Sequence, residues 1–420
     1  MLNRLVAPNI GFDSEIKAIE YNTNILPDNI PLYSIQDTKQ SVVGLQIIFG
    51  GGKLSETQNG ASYFSTNLVK SGTNKYDINY INNYFEFRGA FVHVQNGLDY
   101  NSLSLYCLTE KFKEVLPHFL ELYIEPSFPP DQLEKLKKKK EQEVSVNQKK
   151  SSYWANKLLK ESLFKDHPYG QSISLKDIKE IDRESVFNHW DNCSASNIKF
   201  FTLAGNFDLN LTLELLINLR NSKYRTIDRP VKSQSYSNNE LIIKELSESE
   251  QTSLKIGQPI VSLEHNDYPI LTLGNTLWGG YFGSRLMQTI REEKGLTYGI
   301  RSSLIHLKEA SYLQISADLK KGAGNEAIEL LKLELDKLVS NKLDLEEVDK
   351  VKRYIIGEYK SSVESIFDKI AKVKFIKTHK LNDTFFSKLY STILITKPEE
   401  VQTILEKHIK TVQFHTVLVE

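Results

Sequence analysis

The fold is decided by residues 278–298, WGGYFGSRLMQTIREEKGLTY. Small residues open a turn. Leu286 and Ile290, with Phe282 one turn before, then fall on one helical face. Lys294 and Gly295 form a stop signal: a cation at the negative end of the helix dipole, then a residue free to take positive φ. From Tyr298 to Leu304 apolar and polar residues alternate as in a strand. The pattern therefore predicts that Arg291 leaves the last helical turn and Tyr298 leaves the strand after it. A short reversal would bring both to one cleft.

Composition narrows the function. The chain has 420 residues, 40% hydrophobic and 25% charged, with 53 basic and 53 acidic side chains. That length allows two or more domains and an ample core. Balanced charge gives no overall signature of nucleic-acid or membrane-surface binding. Two cysteines, Cys107 and Cys193, are too few for a disulfide framework and suit a reducing compartment. Residues 1–10 hold no apolar run of signal-peptide length, so the default expectation is a cytoplasmic protein. Two glycine motifs fail. Gly50-Gly51-Gly52-Lys53 lacks a glycine at Ile47 and a hydroxyl at Leu54 for a phosphate loop. Trp278 stands where a dinucleotide fingerprint needs its first glycine.

The 278–298 stretch, with Ser284-Arg285-Leu286 upstream of Arg291 and Tyr298, resembles the C-terminal half of the pitrilysin and insulinase family of zinc peptidases. A second stretch carries the resemblance in the N-terminal half. Asn59-Gly60 opens a helix with Phe64 inside, and Gly72-Thr73 closes it. Along this helix, 61–73, the family writes His-x-x-Glu-His, two imidazoles one turn apart for zinc with a general base between them. Here those positions are Tyr63, Thr66 and Asn67. A phenol, a hydroxyl and an amide do not supply the nitrogens and the base that this chemistry needs. The nine histidines include no pair three or four residues apart. The resemblance thus implies a chain with no catalytic zinc, and zinc in a paralogous partner subunit. Glu141 and Glu143 fall near the place of the family's third ligand. His167-Pro168-Tyr169-Gly170 matches a family turn and reads as scaffold.

An internal repeat supports two halves. Strand 103–107, helix 113–123 and the phrase from Pro130 to Lys137 are echoed by strand 312–317, helix 324–338 and the phrase from Leu343 to Lys352. The expected fold is α+β, two similar halves, each a mostly antiparallel sheet with helices on one face. The halves are 1–225 and 241–420, joined by a polar linker at 226–240. The resemblance implies a half-shell that forms a heterodimer around an extended peptide substrate, with no nucleic acid or membrane partner. Arg291 and Tyr298 would contact that peptide from the non-catalytic side. The alternative is a structural or peptide-binding subunit without a role in proteolysis.

Overall fold

The computed structural model describes residues 16–217, 241–246 and 249–420; the expected linker at 226–240 lies outside them. The first half runs β1 (Asn22–Leu26), β2 (Ile30–Gln36), β3 (Val42–Phe49), α1 (Ala61–Leu68), α2 (Ile78–Phe87), β4 (Phe91–Gln95) and β5 (Asn101–Leu108). It continues with α3 (Thr109–Ile124), α4 (Pro130–Asn147), α5 (Ser151–Phe164), α6 (Leu175–Glu180), α7 (Arg183–His189), β6 (Ile198–Gly205) and α8 (Leu209–Ile217). The second half runs β7 (Leu241–Lys244), β8 (Gln251–Pro259), α9 (Tyr268–Asn275), β9 (Thr297–His306), β10 (Ser311–Lys320) and α10 (Gly324–Ser340). Then follow α11 (Leu345–Ser361), α12 (Ile366–Thr378), α13 (Phe385–Ile395), α14 (Pro398–His408) and β11 (His415–Val419).

The two sheets share one topology. The first has the order β1-β2-β6-β3-β5-β4 and the second β7-β11-β8-β10-β9. Apart from the extra β1, the orders superpose strand for strand. Each sheet has one parallel pair, β2 with β6 and β7 with β11, and is otherwise antiparallel. The echoed sequence segments occupy equivalent places, β5-α3-α4 and β10-α10-α11. This is the expected α+β fold of two similar halves.

Strand alternation explains how both sheet faces are used. In β3, Val43, Leu45, Ile47 and Phe49 join the core beneath the helices of their own half. The stripe Val115, Leu116, Phe119, Leu120 and Tyr123 of α3 is buried there, as its spacing predicts. The other faces have a different cover. Helix α5, from the first half, lies on β8 and β11 of the second. Its Ala155, Leu159 and Leu163 form a cluster with Val417 and Val419. Helix α12, from the second half, lies on β2 and β6 of the first. Its Ile370 and Val373 pack with Ala204, and Phe367 meets the Tyr106 ring edge-on at 6.2 Å. Each half thus lends one helix to the other.

Polar contacts lock the exchange. Ser162 Oγ lies 2.7 Å from His415 Nδ1. Ser151 Oγ lies 2.9 Å from Ser253 Oγ, which donates to Asp318 at 2.6 Å. The turn His167-Pro168-Tyr169-Gly170 is scaffold, as expected. The buried Tyr169 hydroxyl donates to the Asp99 carboxylate in the β4–β5 connection and accepts from the Glu309 N–H at 3.3 Å. Asp99 also accepts from the Lys308 N–H at 2.9 Å. Burial and the adjacent Asp99 push the Tyr169 phenol far above its ordinary range, so it remains a donor at any working pH. The two equivalent hairpins therefore meet around one tyrosine. Among the described residues no helix is long and apolar enough to cross a membrane.

Leu163 is fully buried between the halves. Leu163→Ala should cost about 2–5 kcal/mol in urea denaturation, the range for a leucine truncated in a core. Ile395→Ala, at a side chain 80% exposed, should stay within about 0.5 kcal/mol.

Candidate functional site

Residues 50–60 connect the end of β3 to the start of α1. Gly51 has φ +81°, and a Cβ there would stand 2.1 Å from Ser194 Oγ. Only glycine lets the chain turn so tightly. The Gly51 carbonyl accepts from Ser62 Oγ at 2.6 Å and Asn101 Nδ2 at 2.9 Å, fixing the first turn of α1 to the sheet. Glu56 accepts from the Ser62 N–H at 3.0 Å. Burial raises the Glu56 pKa, against the opposing pull of Lys53. The helix ends earlier than the sequence suggests, at Leu68, and tightens through Val69–Ser71 before Gly72.

Tyr63, Thr66 and Asn67 do not compose a metal site. Asn67 turns its amide back onto its own helix, donating to the Tyr63 carbonyl at 2.8 Å. The Thr66 side chain is fully buried, and its hydroxyl has no hydrogen-bond partner among the described residues. Helix α4 packs across α1. From it, the Lys140 ammonium sits 4.5 Å from the centre of the Tyr63 ring and donates to Glu143 at 2.9 Å. Burial, then the Glu143 charge, raises the Tyr63 phenol pKa. An ammonium thus supplies the positive charge between α1 and α4, and zinc does not fit this set of donors. Among the described residues, no cluster of His, Cys, Asp or Glu able to share an ion includes α1 or α4.

In the second half, Leu286 and Ile290 are fully buried, but Phe282 is not on their helical face as expected; it is 67% exposed. The glycines around it end the wide turn Thr276–Gly280, so the helix begins only after Ser284. Residues 287–293 wind as a π-helical turn. Gly295, at φ +61°, donates to the Arg291 carbonyl at 3.1 Å and closes the helix in the left-handed cap its sequence predicts. Arg285, in the first turn of this helix, is tied to α11. Its fork meets Glu347, at the start of α11, with bonds of 2.9 and 2.8 Å.

The displaced Phe282 has a partner. The Arg291 guanidinium lies 4.4 Å from the centre of its ring, a cation–π stack. Arg291 Nη1 is buried and has no hydrogen-bond partner among the described residues. Tyr298 is 91% exposed. It sits on a β-bulge: Thr297 pairs with Leu319 and Ile300 with Ala317, so Tyr298 and Gly299 together oppose Asp318. Thr297 Oγ1 pins the bulge by donating to the Asp318 carbonyl at 2.6 Å. Bulges at sheet rims re-aim side chains, and β9 is the edge of its sheet. The fold thus joins Arg291 to Phe282 directly. No hydrogen bond, ion pair or ring contact among the described residues joins Arg291 to Tyr298. A cleft of about 230 Å³ nearby is lined by Tyr281, Phe282, Met287, Ile300, Arg301 and Tyr354, among others, but by neither Arg291 nor Tyr298, so the two do not meet in one cleft as their spacing predicts. Neither the stack nor the bulge was legible from sequence spacing.

Two equivalent sheets with exchanged helices, and a zinc helix without its ligands, define a metallopeptidase half-shell. Models of the family match most of the chain: "Insulinase (Peptidase family M16)" over residues 32–176 and "Peptidase M16 inactive domain" over 180–355. The chain belongs to peptidase family M16. The "Non-peptidase homolog YmxG" of Helicobacter pylori is 22% identical over 314 residues, 73% of this chain and 72% of that protein. The structure of a peptidase M16 inactive domain from Pseudomonas fluorescens superposes with a TM-score of 0.86 at 21% identity, covering 95% of this chain and 98% of that one. The ferredoxin protease FusC, in complex with Arabidopsis ferredoxin, superposes with a TM-score of 0.78 at 13% identity. That match covers 96% of this chain and 45% of the FusC chain.

Arg285→Ala should destabilise the second half by about 1.5–3 kcal/mol, the value of hydrogen bonds to charged groups, at the low end because both side chains keep some solvent contact. Urea unfolding followed by tryptophan fluorescence measures it.

Proposed function

We propose that this chain is the non-catalytic subunit of a heterodimeric zinc endopeptidase. Its partner would be a paralogous M16 subunit with an intact His-x-x-Glu-His helix and the zinc. The observation that carries this reading is Arg291, whose guanidinium rests on Phe282 with one N–H unpartnered. A buried donor without a partner costs about 1–3 kcal/mol, and a turn of the side chain into the open would let a peptide carbonyl or carboxylate satisfy it. The planar fork suits such acceptors in a way that a lysine would not. Tyr298 projects from the bulge next along the chain, its phenol free to donate to a peptide carbonyl oxygen as negative charge develops there. The size also fits: the chain matches about half the length of FusC, so a second subunit would complete an enclosure. The substrate would be an extended peptide pairing with a sheet edge. Strand β4, the rim of the first sheet, offers one beside α1.

The test mixes this chain with a zinc-bearing M16 partner and follows cleavage of an unfolded peptide. Tyr298→Phe and Arg291→Ala should each lower kcat by about 100-fold, the cost of losing one oxyanion donor, while gel filtration still shows the complex. Unchanged turnover in both variants would leave a structural or peptide-binding subunit with no part in proteolysis.

A further inference from the structure

The nine histidines are scattered in sequence, but folding brings two of them together far from α1. His265 lies in the connection from β8 to α9, and Asp267 directly precedes α9. His408 ends α14, more than 140 positions on. The His265 and His408 ring centres are 5.5 Å apart. His408 Nε2 is 2.6 Å from Asp267 Oδ2, and His265 Nδ1 is 3.9 Å from the same oxygen. One donor atom from each residue lies within 4.8 Å of the others. Around zinc, ligands held at about 2.0–2.2 Å stand roughly 3.4 Å apart. The three donors already bracket that spacing.

We propose that His265, Asp267 and His408 form a binding site for a first-row transition-metal dication such as Zn²⁺. Two imidazole nitrogens and one carboxylate suit that class and disfavour Mg²⁺ and Ca²⁺, which take oxygen ligands. Asp267 Oδ2 already draws positive and polar partners: Lys407 Nζ and His408 Nε2 each lie 2.6 Å from it. Lys407 is the resident cation, 2.6 Å from Oδ2, on a side chain 56% exposed. It can swing into water as the metal enters. His265 Nδ1 accepts the Asp267 N–H at 3.0 Å; ligation through this nitrogen replaces that bond, and solvent can take up the amide. The ion would clip the β8–α9 connection to the end of α14. This site owes nothing to the zinc helix, so metal found here would not make the chain a peptidase.

The experiment uses the full chain, stripped with a chelator and titrated with Zn²⁺ by calorimetry and with Co²⁺ by visible absorption. One ion per chain is expected, with a Co²⁺ d–d band and a thermal midpoint that rises with metal. His265→Ala and His408→Ala should each weaken binding by more than about 100-fold, above the 10–100-fold typical of an outer-sphere partner. Lys407→Met should tighten it. Mg²⁺ should neither bind nor shift the midpoint. Absence of Zn²⁺ binding to the unaltered chain up to millimolar concentration would overturn the proposal. So would equal affinity in the unaltered chain and both histidine variants.

Discussion

The exchange of α5 and α12 is the constraint on which the molecule rests. A sheet covered by helices on one face only still leaves a second face to satisfy. Here each half solves this with a helix from the other. Close approach is needed, and one glycine on each of the equivalent strands β3 and β8 allows it. A Cβ on Gly257 would stand 2.7 Å from Leu163, and one on Gly44 would stand 2.7 Å from Tyr106 and 3.2 Å from Phe367. Neither sheet can lose its neighbour without wetting its own buried side. Folding of the two halves is coupled through that shared burial, and their relative position is fixed within close-packed tolerances.

That rigidity gives the candidate site its meaning. Arg291 and Tyr298 sit on the helix-to-strand connection of the second half, between α9 and the sheet rim. The corresponding region of the first half carries α2. Duplication supplied one frame twice, and the halves then diverged locally. In the first, α1 stayed a regular helix with Tyr63, Thr66 and Asn67 at the ligand positions, and Lys140 and Glu143 of α4 pack against it. In the second, the helix widened into a π-turn and β9 acquired a bulge. Both features of the second half cost regular hydrogen bonding, and such irregularities concentrate where side chains must be aimed.

Much of the fold was legible in the sequence, because binary patterns and stop signals are local. The stripe of α3, the strand β3 and the cap at Gly295 all follow from the spacing of a few residues. The repeat was legible through the phrases around Pro130 and Leu343. Helix α5 was not. Its buried residues Ala155, Leu159, Ser162, Leu163 and Phe164 stand in a lysine-rich run, and their partners lie far downstream on β8 and β11. The site was half legible. Arg291 and Tyr298 could be singled out by motif, and the loss of zinc ligands at Tyr63, Thr66 and Asn67 could be read directly. The seat of Arg291 on Phe282, the ammonium of Lys140 over Tyr63, and the meeting of His265 with His408 depend on tertiary packing that no spacing rule encodes.

The bulge at Tyr298 and Gly299 has a consequence for self-association. A flat terminal strand is a template on which other chains can aggregate. At this bulge β9 twists out of register, so its rim cannot continue the sheet as a straight ladder. Strand β4 keeps an unbroken register with its neighbour from Phe91 to Gln95. Of two rims inherited from one ancestral half, the distortion closes one to stray strands and leaves the other open.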